Sequence, residues 1–356
     1  MILSTILMAS YCAAVVMSFS SCPLSVDISS TTGHSIQIAI SNIGENNVTF
    51  FRGNTVLHGR ATKNLRVIAM IIAGTDLPFN GMYINYRRAD LPSSMFHTLQ
   101  PGETVTTMVN AAVSYKLEGI ATVNVTAIQN FQYVVGQLVP TSLHNMSLCT
   151  EVTSNTVTMI PDQSTVVSQH ISRRDTSISR IQKRGVTYVN CSPSQEQSLE
   201  NTVSDAISLA TAALKAADTE ADYWTTWFKD TGGLSTTKNI YYDVAYVLSN
   251  NLRISCTDIY GDCSNSNHLL YTVVSDKTIV PCPNNGYWGF PEFAANCANS
   301  DYDRAGSILH EMTHLNGTTD YAYGRDNCLQ LNAEEAVKNA DTYELYAESV
   351  RLRGCD

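Results

Sequence analysis

The sequence predicts an all-β, sandwich-like first half joined to a mainly α-helical second half that carries a small antiparallel sheet. Three observations predict this. In the first half, short runs rich in β-branched residues are separated by clusters of Gly, Pro and Asn. Residues 162–185, DQSTVVSQHISRRDTSISRIQKRG, then interrupt the pattern with a polar, basic, Ser-rich stretch. Beyond it, apolar residues recur at helical rather than strand spacing. A chain of 356 residues is also long for one domain and fits two.

Taken in order, Ile2–Phe19 is almost wholly apolar and uncharged, with small residues at Ser18, Ser20 and Ser21. This predicts a secretory signal peptide over residues 1–20. A run of about 18 apolar residues can also anchor a chain in a membrane. The small residues within this one and the lack of a basic flank favour a cleaved leader, and no other segment is apolar enough to span. The strands that follow are exemplified by His34–Ile40, Leu65–Ile72 and Ala121–Ala127, at the spacing of a β-sandwich. Their expected role is that of a propeptide, residues 21–184, acting as folding aid and inhibitor.

The polar stretch cannot bury a core and is expected to be an exposed linker. It carries two dibasic pairs, Arg173-Arg174 and Lys183-Arg184, and composition changes sharply after the second. Cleavage after Arg184 by a kexin- or furin-type protease is therefore expected. The remaining domain, residues 185–356, should place helices at Ser198–Ala217, 302–315 and 333–352, with strands and loop over 269–292. No internal repeat is evident.

Charge is unevenly divided. Residues 1–184 hold 12 Lys+Arg against 9 Asp+Glu, whereas residues 185–356 hold 10 against 23. The halves are thus electrostatically complementary, and the acidic second half argues against nucleic-acid binding while favouring basic protein partners. Ten cysteines fit an oxidising compartment. Asn-x-Ser/Thr triplets at Asn47, Asn124, Asn145, Asn190 and Asn316 point the same way, to a secreted, extracellular protein.

The chemistry concentrates in His310-Glu311-Met312-Thr313-His314. Ala305, Ile308, Leu309 and Met312 form an apolar stripe at helical spacing, so the segment is expected on one helix. His310 and His314, four apart, then project from one face, and two such nitrogens can bind one tetrahedral zinc. Glu311 can lean over the open position as general base, taking a proton from the attacking water and passing it to the leaving amine. The second half has only three histidines, and two of them lie in this motif. A catalytic zinc usually takes a third protein ligand. Asp320 follows the turn at Gly317, Glu334 and Glu335 lie on a later helix as in thermolysin-like enzymes, and His268 is remote.

His310-Glu311-x-x-His314 followed by Gly317-Thr318-Thr319-Asp320-Tyr321-Ala322-Tyr323-Gly324 resembles the deuterolysin, or aspzincin, signature HExxH plus GTxDxxYG. Asn339-Ala340-Asp341-Thr342-Tyr343-Glu344-Leu345-Tyr346-Ala347 is similar to the family's NADSYxLYA stretch. The layout of leader, long pro-segment, Lys-Arg cut and small mature domain fits as well. The resemblance implies a zincin-type catalytic domain and a secreted zinc metalloendopeptidase made as a zymogen, acting on proteins or peptides. It implies one zinc held by His310, His314 and Asp320, with Glu311 as base and Tyr323 as oxyanion donor. Asp341 would lie near the site, as partner of a histidine or in the S1′ pocket. In the family's pairing pattern Cys191 joins Cys256, Cys263 joins Cys282 and Cys297 joins Cys355, which leaves Cys328 over, while Cys22 with Cys149 would close the pro-segment.

Two other readings compete. HEMTHLNGTTD also fits HExxHxxGxxD, the metzincin-like pattern with Asp as third ligand, but that class needs a methionine turn and no Met follows Met312. A secreted binding protein or effector on the same scaffold would have little use for an intact metal and base constellation.

Overall fold

The computed structural model describes residues 22–70, 74–136, 138–166, 180–183, 185–219, 223–247, 252–263, 267–296 and 303–354. The expected signal peptide, Arg184, Cys297 and Cys355 lie outside the described residues. Among the described residues, ten strands precede the polar, basic stretch: β1 (Leu24–Thr32), β2 (Ser35–Asn42), β3 (Val48–Phe51), β4 (Leu65–Ala69), β5 (Thr75–Asp76), β6 (Met82–Tyr86), β7 (Phe96–Leu99), β8 (Thr104–Asn110), β9 (Val123–Val135) and β10 (Ser147–Met159). Among the described residues, a short α-helix, α1 (Ala111–Ser114), and two 3-10 turns, Val56–His58 and Ser93–Met95, interrupt them.

Strict alternation explains the two sheets. In β2 every second residue is buried, with Ile36, Ile38 and Ile40 all at 0% exposure. In β9, Val123, Val125 and Ala127 do the same. Period-two burial requires a sheet with one face on a core. One sheet runs β1-β2-β8, the other β5-β4-β9-β3-β7 with β10 on β9, and their inner faces share one apolar core. Cys22–Cys149 ties the start of β1 to β10.

β11 (Arg180–Lys183) closes the first half, and β12 (Val186–Val189) opens the second. Residues 162–185 were expected to be linker throughout, yet β11 pairs antiparallel with β12 at a sheet edge. Edge pairing uses only main-chain groups, so polar composition did not forbid it. Helix α2 (Pro193–Asp218) begins five residues before the expected start. Ser192 and Gln195 form a reciprocal capping box and Pro193 occupies the first turn, a combination that fixes a helix start. Its buried stripe, Leu199, Val203, Ala206, Ala210, Ala213 and Ala217, packs against α4 (Leu234–Tyr242), beyond the short α3 (Trp224–Trp227), and against later helices.

Three further strands follow, β13 (Arg253–Ser255), β14 (His268–Val273) and β15 (Thr278–Pro281). Then come α5 (Arg304–His314), α6 (Arg325–Cys328), α7 (Ala333–Lys338) and α8 (Ala340–Leu352). The sheet order is β11-β12-β13-β15-β14-β6; β12, β13 and β15 run parallel, while β14 is antiparallel to both neighbours. Strand β6 comes from the first half, so the halves share a sheet rather than standing side by side. Among the described residues, no helix is long and apolar enough to cross a membrane.

Candidate metal centre

Helix α5 carries the motif. Its N-cap, Asp303, accepts from Gly306 N at 2.5 Å and from Ala294 N at 2.8 Å, which fixes the first turn. Ala305, Ile308, Leu309 and Met312 enter the core, all at 0% exposure. The opposite face is buried too: His310 and Glu311 are 0% exposed and His314 2%. Burying three ionisable groups on one helix costs several kcal/mol unless they are paired or hold an ion.

The third donor arrives by a turn. After α5, Gly317 adopts φ +96°, a left-handed conformation that suits glycine. Thr319 then forms a parallel bridge with Asn339, through Thr319 N to Lys338 O at 2.8 Å and Ala340 N to Thr319 O at 3.0 Å. Asn339 Oδ1 accepts from the amides of Tyr321 and Ala322 at 2.8 and 3.1 Å. The loop is thereby pinned to the α7–α8 junction, and Asp320 is carried under the two histidines.

The geometry suits a cation. His310 Nε2 and His314 Nε2 are 3.1 Å apart, and Asp320 Oδ1 lies 3.3 and 3.4 Å from them. Donors bonded to one tetrahedral zinc at 2.0–2.1 Å would stand about 3.3–3.4 Å apart. Burial disfavours a charged His310, yet Asp320, Asp341 and Glu344 outweigh it and raise its pKa well above the ordinary value. Burial likewise opposes a charged Asp320, and the two histidines reverse that and depress its pKa. An array of carboxylates around buried imidazoles calls for positive charge, and the three-donor face fits zinc.

Partners orient each candidate ligand. His310 Nδ1 lies 2.8 Å from Asp341 Oδ1 and 3.5 Å from Glu344 Oε2. His314 Nδ1 is 3.3 Å from both Thr318 O and Thr318 Oγ1. Outer contacts of this kind set ring orientation and tautomer. Glu311 is pushed upward by burial, against the influence of His310, His314 and Thr272. Tyr323 is fully buried and its hydroxyl donates to Ile84 O at 2.9 Å.

The other expected residues fall as follows. Glu334 is exposed and pairs with Lys338 at 2.7 Å, and the Glu335 carboxylate accepts from Asn332 N at 3.0 Å and from the Thr150 hydroxyl, so both are engaged away from the histidines. His268 contacts His58, with Nε2 to Nε2 at 3.0 Å. The bonds Cys191–Cys256 and Cys263–Cys282 are formed, and Cys328 keeps a buried thiol near Asn339. Lys183 is the last residue of β11.

Four contributors escaped the sequence reading. Tyr83 lies stacked on His314, ring centroids 4.0 Å apart and planes at 5°. Arg88, 1% exposed, sends Nη2 to Asp341 Oδ1 at 2.8 Å and to Glu344 Oε2 at 3.4 Å. Thr272 Oγ1 donates to Glu311 Oε2 at 2.5 Å. Glu344 is fully buried and pushed up to about 7, chiefly by burial. Tyr83 and Arg88 come from the other half and carry no local signal. Glu344 alone had one, being three residues from Asp341 on the same helix.

Residues 213–348 match the aspzincin family model, described as lysine-specific metallo-endopeptidase. A neutral protease 2 homolog of Sclerotinia sclerotiorum is 32% identical over 78% of this chain and 77% of its own length. Homologs from Arthroderma gypseum and Coccidioides posadasii are 29% and 27% identical, each over 93% of this chain and over 92% and 91% of theirs. With the signature residues gathered at one buried three-donor site, the chain belongs to the deuterolysin (aspzincin) family of zinc metalloproteases.

Proposed function

We propose that the chain is a secreted zinc metalloendopeptidase made as a zymogen. The observation that carries the reading is the convergence of His310, His314 and Asp320 at tetrahedral spacing beside buried Glu311. Bound there, zinc would polarise the scissile carbonyl and acidify water. Glu311 takes a proton from the attacking water and returns it to the leaving amine. The Tyr323 hydroxyl donates to the oxyanion as the carbonyl becomes tetrahedral. Asp341 holds His310 by its distal nitrogen.

The contacts of the first half support latency. Strand β6 runs antiparallel along β14, with Met82 opposite Val273 and Tyr86 opposite His268. Its Ile84 carbonyl takes the hydrogen bond of Tyr323, as a substrate carbonyl would. Tyr83 covers His314 and Arg88 fills the pocket between Asp341 and Glu344. The proposed sequence is removal of the leader, residues 1–20, then cleavage after Lys183-Arg184 by a kexin-type protease. The domain 185–356 is then released from residues 21–184. Vacated by Arg88, the two carboxylates would accept a basic side chain, which favours basic protein substrates.

The test is casein digestion by the processed chain. Wild type should digest it and lose activity to a chelator. Glu311→Gln should keep zinc and lose activity by at least about 1,000-fold. Asp320→Ala should lose zinc whereas Glu335→Ala should not. Proteolysis by Glu311→Gln at the wild-type rate would sink the mechanism.

A further inference from the structure

The two carboxylate oxygens of Glu311 have unlike surroundings. Oε2 accepts from Thr272 Oγ1 at 2.5 Å, and Oε1 is buried with no protein partner. We propose that Thr272 is a positioning residue for the reaction: its hydroxyl holds Oε2 and so presents Oε1 as the oxygen that takes and returns the proton. The inference rests on the reading of Glu311 as general base.

Three observations support it. First, all six residues of β14 are buried, and the neighbours of Thr272 are Tyr271 and Val273. A hydroxyl in such a strand costs free energy unless it is bonded, and a Val of equal size would avoid the cost. The partner it finds is Glu311, 39 residues away in sequence. Second, Thr is β-branched and stiff at its first torsion, so a strand backbone aims its hydroxyl with little freedom. Glu has three torsions to fix, and a charge-assisted bond to one oxygen removes the exchange of the two. Third, the arrangement belongs wholly to the second half. Thr272 pairs with Tyr83 of β6 on one side and with Ile279 of β15 on the other. Removal of the first half takes away β6 and leaves β15, so the anchor persists in the processed enzyme.

In the step itself, a water oxygen bonds to the carbonyl carbon as its proton passes to Oε1. That proton then moves to the amine nitrogen as the C–N bond breaks. Oε2 keeps its hydrogen bond throughout, and Thr272 exchanges no proton.

The experiment expresses the full chain, processes it at Lys183-Arg184, and compares Thr272→Val with Thr272→Ser on a peptide substrate, alongside bound zinc and thermal midpoint. The expected result is that Thr272→Val lowers kcat by about 10- to 100-fold at near-normal KM and zinc content. Thr272→Ser, which keeps the hydroxyl, should stay within about threefold. Thr272→Val added to Glu311→Gln should cost nothing further, since both act through one carboxylate. Retained kcat in Thr272→Val, equal losses in Val and Ser, or full additivity with Glu311→Gln would each overturn the inference. Where Val costs zinc or folding, Ser against Ala at the same position decides by the same criterion. An inactive wild type would refute the protease reading instead, a distinct outcome.

Discussion

Arg88→Met probes how the first half is held over the candidate metal centre. Arg88 is 1% exposed, and its Nη2 contacts Asp341 Oδ1 at 2.8 Å and Glu344 Oε2 at 3.4 Å. An exposed pair of this kind would contribute less than about 1 kcal/mol. Removing one partner of a buried pair instead costs about 3–5 kcal/mol, because the remaining charge is left uncompensated. Two features place the loss at the lower end here. Asp341 still receives Gly324 N at 2.7 Å and still faces His310 Nδ1 at 2.8 Å. Glu344, already pushed up to about 7, can take a proton. The expected destabilisation of the full chain is about 3 kcal/mol, roughly 150-fold in the equilibrium constant. Urea unfolding in the Glu311→Gln background measures it, following the tryptophan fluorescence of the second half. Arg88→Lys should lose less, since it keeps the charge but not the fork. The same Arg88→Met change beside Glu344→Gln should also cost less. A loss below about 1 kcal/mol, or equal losses with and without Glu344→Gln, would refute the reasoning.

Acid should loosen the molecule at His58. His58 lies in the first half, 3.0 Å from His268 of the second, and faces Tyr86, Asp262, Arg60 and Arg52. Burial first, then His268, lower its pKa to about 3, against the pull of Asp262 and with help from Arg60 and Arg52. Unfolded His titrates near 6.5, so below that pH protons favour the unfolded chain. The His58 contribution to stability is therefore complete above about pH 6.5 and falls progressively toward pH 3. His58→Gln should flatten part of that slope in thermal midpoints taken from pH 7 to 4, and an unchanged slope would exclude the assignment. Gly306→Ala should destabilise by about 1–3 kcal/mol despite the better helix propensity of Ala. The added Cβ would stand 2.9 Å from Asp303 Oδ1 and 3.0 Å from Glu344 Oε1. A stabilised variant in the same urea assay would show that the cap and Glu344 can yield.

Local patterns were legible where local physics fixes them. Ile36, Ile38 and Ile40 alternate, and they lie on a sandwich face. His310 and His314 are one turn apart, and they share a helix face. Helix α2 starts ahead of its apolar period because the Ser192–Gln195 box sets its first turn. The expected single helix over 333–352 is broken at Asn339, where the chain turns extended and the side chain serves the Asp320 loop instead.

The sequence by itself determined the motif, its helix, the candidate ligands and a β-rich half ahead of a helical one. Those follow from periodicity and from residue types at short range. Only the tertiary structure decided that β6 joins the second half's sheet, that Tyr83 and Arg88 enter the site, and that Thr272 meets Glu311. Each joins residues far apart in the chain: Arg88 meets Asp341 across 253 residues and Ile84 meets Tyr323 across 239. No spacing rule reaches that far. The pairings are set by which strand edge is open and which buried charge lacks a partner, and both are properties of the folded whole.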